Sequence, residues 1–303
     1  MVELHQLRCF VAVAEELHFG RAARRLFMTQ PPLSRQIQLL ERDLGVQLLE
    51  RSNRQVRLTA AGVGFLRDAR HVLLFAERAG ETARSLARGS SGRLSLGFTA
   101  VAGYRLIPEL VRHLQGALPE VDLVLQEQVT TDQTETLAAQ MIDVGFLRQL
   151  APRGPLRGER VWREPLLLAL PLGHPLAAQR AVSVRALEHQ PFVMYSPGEG
   201  RYFYDSIAGL FASTGVRPRF VQHLGQTHSI LGLVRAGVGV ALLPASAAHL
   251  HVDQVCFRPL TDAELHAEVW MAWREDNSNP ALPLFLHQAR RYFIHDPEAE
   301  EAS

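Results

Sequence analysis

Through the first ninety positions apolar residues recur at three- and four-residue steps, whereas much of the remainder shows short apolar runs separated by polar segments. Leu4, Leu7, Phe10, Val11 and Ala14 share one face, as do Ala22, Ala23 and Leu26, which predicts two packed amphipathic helices. A third helix is predicted to open with Thr29 as N-cap, its hydroxyl accepting from first-turn N–H groups. Pro31 and Pro32 fall in that turn, where a missing N–H breaks no intrahelical bond. Leu33, Ile37, Leu40 and Leu44 form its buried stripe, leaving Gln30, Pro31, Ser34, Arg35 and Gln38 outward at the N-terminal end. After Gly45, VQLLERSNRQVRLT reads as two short extended runs around a polar turn at Ser52 and Asn53, with Arg51, Arg54 and Arg57 spaced along it. It is either a wing that meets nucleic acid or a solvated hairpin.

From Thr59 to about Arg88 there is neither proline nor strand-like alternation, and a helix of about 30 residues would span about 45 Å. Leu66, Ala69, Leu73, Ala76, Gly80, Ala83 and Ala87 make a narrow seam for a partner helix or for the subunit's own domain. RGSSGR, from Arg88 to Arg93, reads as a hinge. Beyond it LSLGF, VDLVLQE and VGFL alternate with helical patterns near Tyr104 to Leu118 and Thr134 to Gln140. LLLALPL, PFVMY, RFVQHL and VGVALLP suggest a second such unit. EVWMAWR returns toward the first, followed by a helix at about Leu282 to Ile294. This alternation predicts an α/β class with parallel sheet, covering helices and two lobes around a cleft.

The chemistry of the N-terminal segment suits DNA. An exposed Arg can fork onto guanine, Gln can pair with adenine, and Ser or a helix N-terminus can hold phosphate, all from the end a helix-turn-helix places in the major groove. Arg51 and Arg54 on the wing would reach backbone or minor groove. The net charge of +1 hides a division: up to Gly92 there are 14 Arg against 9 Asp plus Glu, so the basic excess is N-terminal. All 32 Lys+Arg residues are Arg, which excludes a Walker A lysine and a pyridoxal-phosphate lysine. Cys9 and Cys256 offer no zinc or CxxC spacing and read as structural thiols, with a redox role as the alternative. GxSxG, HExxH and a complete GxGxxG are absent; His249 and His251 read as a surface pair. No catalytic residue, metal or cofactor is expected. The first thirty residues carry charges throughout and no run approaches about 20 apolar residues, so no membrane partner and a cytoplasmic location are expected.

Ligands of open α/β sheets sit at strand carboxyl ends, where helix N-termini present free N–H groups to anions. Thr99, Ala100, Val101 and Ala102 follow the first strand and Thr130 and Thr131 the second. Ser196, Pro197, Arg201, Tyr202 and Phe203 follow PFVMY, and Gln226, Thr227 and His228 precede SILGLVRAG. PGEGRYFY is the densest aromatic and cationic cluster, suggesting a small organic anion; the alternative is an aromatic core beside a solvated Arg201. His228 reads as either a ligand or a hydrogen-bonded structural residue.

LHQLRCFVAVAEELHFGRAARRLFMTQPPLSRQIQLLERDLGVQLLERSNRQVRLTAAG resembles the winged helix-turn-helix of LysR-type transcriptional regulators, most closely in pattern the benzoate, muconate and chlorocatechol branch, and the likeness continues over nearly the whole chain. The resemblance implies a winged helix-turn-helix at 1–58, a linker and dimerisation helix at 59–88 and a periplasmic-binding-protein-like effector domain at 89–303. Its lobe one would be 92–162 plus 268–303 and lobe two 163–267. It implies DNA contacts at Gln30, Pro31, Ser34, Arg35 and Arg54, and effector contacts at positions 101 and 130. This chain keeps Thr130 but has Val101 where those relatives place Ser, which puts a carboxylate contact there in question. The implied partners are double-stranded promoter DNA, a small organic anion effector, the chain itself as dimer or tetramer, and RNA polymerase if it activates. The competing class is a solute-binding protein or enzyme on the same lobes.

Overall fold

A computed structural model describes residues 2–51, 56–87, 92–149 and 154–294 of the chain, which divides into two compact units at Gly89 and Ser90. The first opens with α1 (Leu4–Glu16), α2 (Phe19–Arg25) and α3 (Gln30–Leu44). The side chain of Gln6 accepts from the Glu3 backbone N–H at 3.0 Å and so closes the start of α1. Phe10, Val13, Ala22, Leu33, Ile37 and Leu40 are buried together, as the spacing predicts. One expectation fails: Thr29 is the N-cap of α3, but its hydroxyl makes no capping bond. A cap oxygen accepts from the second or third helical N–H, and here both positions are proline, with no hydrogen to donate.

β1 (Leu49–Arg51) and β2 (Val56–Leu58) form the antiparallel wing, with Glu50 opposite Arg57. Glu41 on α3 accepts from the N–H groups of Leu48 and Leu49 at 3.0 and 3.1 Å, fixing the wing to α3. α4 (Ala60–Ala87) follows. Its start is set by Thr59, whose hydroxyl accepts from Gly62 N–H at 2.9 Å. A Cβ at Gly62 would lie 2.0 Å from the Leu48 carbonyl oxygen, so only glycine lets the helix cross the wing this closely. Gly62→Ala is expected to lower the stability of this unit by about 1 to 3 kcal/mol through backbone displacement; an unchanged thermal midpoint would show that the crossing is not tight.

The N-terminal part of the seam on α4 faces inward. Ala69 is buried, and Leu66 and Leu73 pack against the α1–α3 core. Among the described residues of this helix the large apolar side chains that are exposed are instead Val63, Val72, Leu74 and Phe75. The side chains of Ala83 and Ala87 lie outside the described residues.

The second unit contains β3 (Gly92–Phe98), α5 (Leu106–Ala117), β4 (Val121–Glu127), α6 (Thr130–Ala138), β5 (Val144–Leu147) and β6 (Leu156–Pro171). Then come β7 (Pro191–Tyr195), α7 (Arg201–Thr214), β8 (Arg219–Leu224), α8 (Thr227–Arg235), β9 (Ala241–Pro244), β10 (Val255–Arg258), β11 (His266–Arg274) and α9 (Ala281–Ile294). β3 pairs parallel with β4 and β5, but β11 runs antiparallel between β5 and β6, so the sheet is mixed where a parallel one was expected. LLLALPL, up to Pro171, is the end of β6, a single strand serving two cores. Its first part pairs with β11, and from Leu166 onward it pairs with β9 and β10. Leu96, Ile107, Phe146, Trp162, Met271 and Phe285 belong to one core; Leu168, Phe192, Tyr195, Ile207, Ile230 and Leu242 belong to the other. β6 and β11 therefore cross between two lobes, and the cleft lies between those lobes.

Candidate functional site

On α3 the buried stripe Leu33, Ile37 and Leu40 fixes which side faces out. Gln30, Pro31, Arg35 and Gln38 are exposed and Ser34 is half-buried, so five polar or small side chains share the N-terminal end of one helix. Arg51 ends β1, but its side chain, like the whole of Arg54, lies outside the described residues. Arg57 is exposed on β2. Gln30, Ser34, Arg35 and Gln38 thus give α3 a cationic, hydrogen-bonding face carried on a buried core, with Glu41 tying the helix to the wing, the form a groove-reading head requires.

In the second unit a cleft of about 790 Å³ is lined by the start of α6, α7 and α8 and by the segment after β3. That volume suits a small organic ligand. Of the residues singled out in the sequence, Thr99, Ala100, Val101, Thr130, Thr131, Arg201, Tyr202, Phe203, Gln226 and Thr227 line it. Ala102 does not, being buried in the core of the first lobe. Ser196 is tied to β8 through its N–H to Leu224, while Pro197 and His228 are exposed outside the lining. Arg201 stands largely in solvent, 78% exposed, with Asp205 one helical turn away at 3.4 Å. Phe203 is buried and stacks on Tyr195 with centroids 4.6 Å apart. The sequence cluster therefore divides: its aromatic part reaches the cleft from the core, and its cation faces water.

The cation of the cleft floor is Arg148, which the sequence reading passed over. Its side chain is 4% exposed and its guanidinium lies 5.0 Å from the Phe203 ring centroid. Nη1 donates to the Glu268 carbonyl at 3.4 Å, and Nη2 stands 3.6 Å from the buried Glu164 carboxylate, beyond hydrogen-bond length. Nε and Nη2 make no hydrogen bond. Those two atoms form one edge of the planar guanidinium, the edge that takes a carboxylate with two parallel bonds. Glu164 is itself held by the Ser246 N–H at 2.7 Å.

Around this edge the polar groups are ordered. Thr130 accepts from the Arg148 N–H at 3.2 Å, and Tyr195 shares a 2.7 Å hydrogen bond with Thr227. Burial pushes the Tyr195 phenol above its ordinary range, so it stays a neutral hydrogen-bonding group. The Thr99 hydroxyl is buried with no hydrogen-bond partner. Among the described residues no group of three or more His, Cys, Asp or Glu is placed to hold a metal, and no helix is long and apolar enough to cross a membrane.

Comparison with known proteins agrees with this two-part arrangement. Residues 4–63 match the bacterial regulatory helix-turn-helix protein, lysR family, and residues 87–294 match the LysR substrate binding domain. The chain is 39% identical to the HTH-type transcriptional regulator AlsR of Bacillus subtilis, covering 94% of this chain and 95% of that one. It is 36% identical to ClcR of Pseudomonas putida, covering 94% and 97%. The crystal structure of full-length CbnR complexed with target DNA superimposes with a TM-score of 0.84 at 32% identity, over 97% of this chain and all of that one.

Proposed function

Because the chain belongs to the LysR family of DNA-binding transcriptional regulators, we propose that its signal is a small organic carboxylate bound in the cleft against Arg148. The protein is a transcriptional regulator with an effector domain, in a family of regulators and not of enzymes. The observation that carries the carboxylate is the buried Arg148 guanidinium at the cleft, whose Nε and Nη2 make no hydrogen bond and whose ion pair with Glu164 is stretched to 3.6 Å, in a cleft also lined by Thr99, Thr130 and Thr227. Val101 offers no hydroxyl, and Arg148 supplies the charge recognition that a serine there would not. Tyr202 and Phe203 beside the guanidinium favour a ligand with a flat or apolar body.

On the DNA side the contacts are Gln30, Pro31, Ser34, Arg35 and Gln38 in the major groove, with Arg51 and Arg54 on the wing. Two copies reading two half-sites suit this geometry, and a cytoplasmic location accords with it. Regulation follows if the acid binds one arrangement of the lobes better than another.

The test is thermal shift with aromatic and aliphatic monocarboxylates, each beside its primary amide. A binding acid is expected to stabilise the protein by about 2.7 kcal/mol at a hundredfold excess over Kd, and its amide by much less. Arg148→Leu alone would strand the buried Glu164, so the informative variant is Arg148→Leu with Glu164→Gln, which removes both charges. It should lose the preference for acid over amide while still binding DNA without ligand. If no acid outperforms its amide on the wild type, the carboxylate assignment is wrong.

A further inference from the structure

The turn between α2 and α3 has a feature that the fold does not explain. Phe27 N–H donates to the Arg24 carbonyl at 3.1 Å and Met28 N–H to the Ala23 carbonyl at 2.9 Å, which together make a Schellman motif. The motif requires a left-handed residue at position 27, and Phe27 has φ 55°. Glycine normally occupies that seat, because a Cβ there crowds the backbone. A bulky aromatic could be retained for packing, but Phe27 is 98% exposed. The apolar contact of the turn is made instead by Met28 against the helical core. The fold therefore accepts a strained conformation and a bare aromatic ring with no return in packing.

Its position supplies a reason. Phe27 sits three residues before Gln30, the first residue of the reading helix, in the short turn that enters it. Thr29, between them, is exposed and makes no side-chain capping bond, because Pro31 and Pro32 leave it no donor. Those prolines also remove two N–H groups from the end of α3 that would otherwise meet phosphate. The approach to DNA here must rely more on side chains, and an aromatic ring can supply apolar contact to the thymine methyl.

We propose that Phe27 belongs to the DNA-reading surface, packing on an apolar part of the DNA, a thymine methyl or a deoxyribose, at the edge of each half-site. The contact adds to the polar groups of α3 and rests on the DNA-binding role of this head, so wild-type binding to the same duplex is the control. Backbone strain of this type is stored where function uses it.

The experiment uses full-length protein and a duplex that the wild type selects from a random library. Phe27→Asn keeps a residue that tolerates the left-handed conformation, Phe27→Gly removes the strain, and Phe27→Tyr keeps the ring. The Asn and Gly variants should melt no lower than wild type, elute at the same size, and bind the duplex roughly fivefold more weakly or worse, with an unchanged salt slope. Phe27→Tyr should bind within about twofold of wild type. Duplexes carrying uracil for thymine separate the two surfaces. A wild-type loss that Phe27→Asn no longer shows places the ring on a thymine methyl, and an unchanged wild-type affinity places it on deoxyribose. Affinity of Phe27→Asn and Phe27→Gly within twofold of wild type overturns the proposal, as does a loss that tracks a lower melting temperature or a changed oligomer size.

Discussion

Arg35→Ala is expected to weaken binding to a selected duplex by about 1 to 3 kcal/mol per half-site and to flatten base preference at one position. Arg35 is exposed at the N-terminal end of α3, on the face opposite Leu33, Ile37 and Leu40, so the fold does not depend on its side chain. A guanidinium that forks onto a guanine edge loses two hydrogen bonds with that base and few with any other. Arg54→Ala should differ: a wing contact to backbone or minor groove weakens all sites together and leaves the major-groove preference standing. Repeating the selection with each variant at moderate salt reads both effects. Unaltered affinity in both variants would remove this face from the interface.

Why was the reading helix legible while the cleft was only half so? In α3 a local period of apolar residues decides the buried side, and the polar side follows by exclusion. The Thr29 cap is the exception, because the N–H groups that its hydroxyl would take belong to Pro31 and Pro32, which have none. The cleft is assembled differently. Thr99, Thr130 and Thr227 follow the rule that ligands meet strand ends and helix starts, and all three line it. Arg148 belongs to no such pattern. It directly follows β5, four residues buried without exception, and a charge placed there is carried inward before the chain turns. That adjacency was the available signal. Its surroundings depend on Glu164 and Phe203, which arrive from β6 and α7, and no sequence spacing reports that meeting.

The same distinction between local period and assembled contact governs α4. Leu66, Ala69 and Leu73 have the spacing of a partner seam, yet they complete the core of their own unit because α1 covers them. A seam read from a sequence cannot say which helix fills it. The side chains left outward include Val72 and Phe75, 48% and 56% exposed and one turn apart, followed by exposed Ala79. We propose this stripe as the contact between two copies. Phe75→Glu should then leave the melting temperature of the winged head unchanged, shift the protein toward monomer in sedimentation, and weaken DNA binding because the two half-site readers are no longer joined. Leu73→Glu should behave in the opposite order. Leu73 packs, partly buried, against the α1–α3 core, so a carboxylate forced there costs the head about 1 to 3 kcal/mol of stability before any question of assembly arises. A Phe75→Glu protein that sediments as wild type would put the subunit contact elsewhere, and a Leu73→Glu protein that melts as wild type would mean that α4 does not close the core of the head.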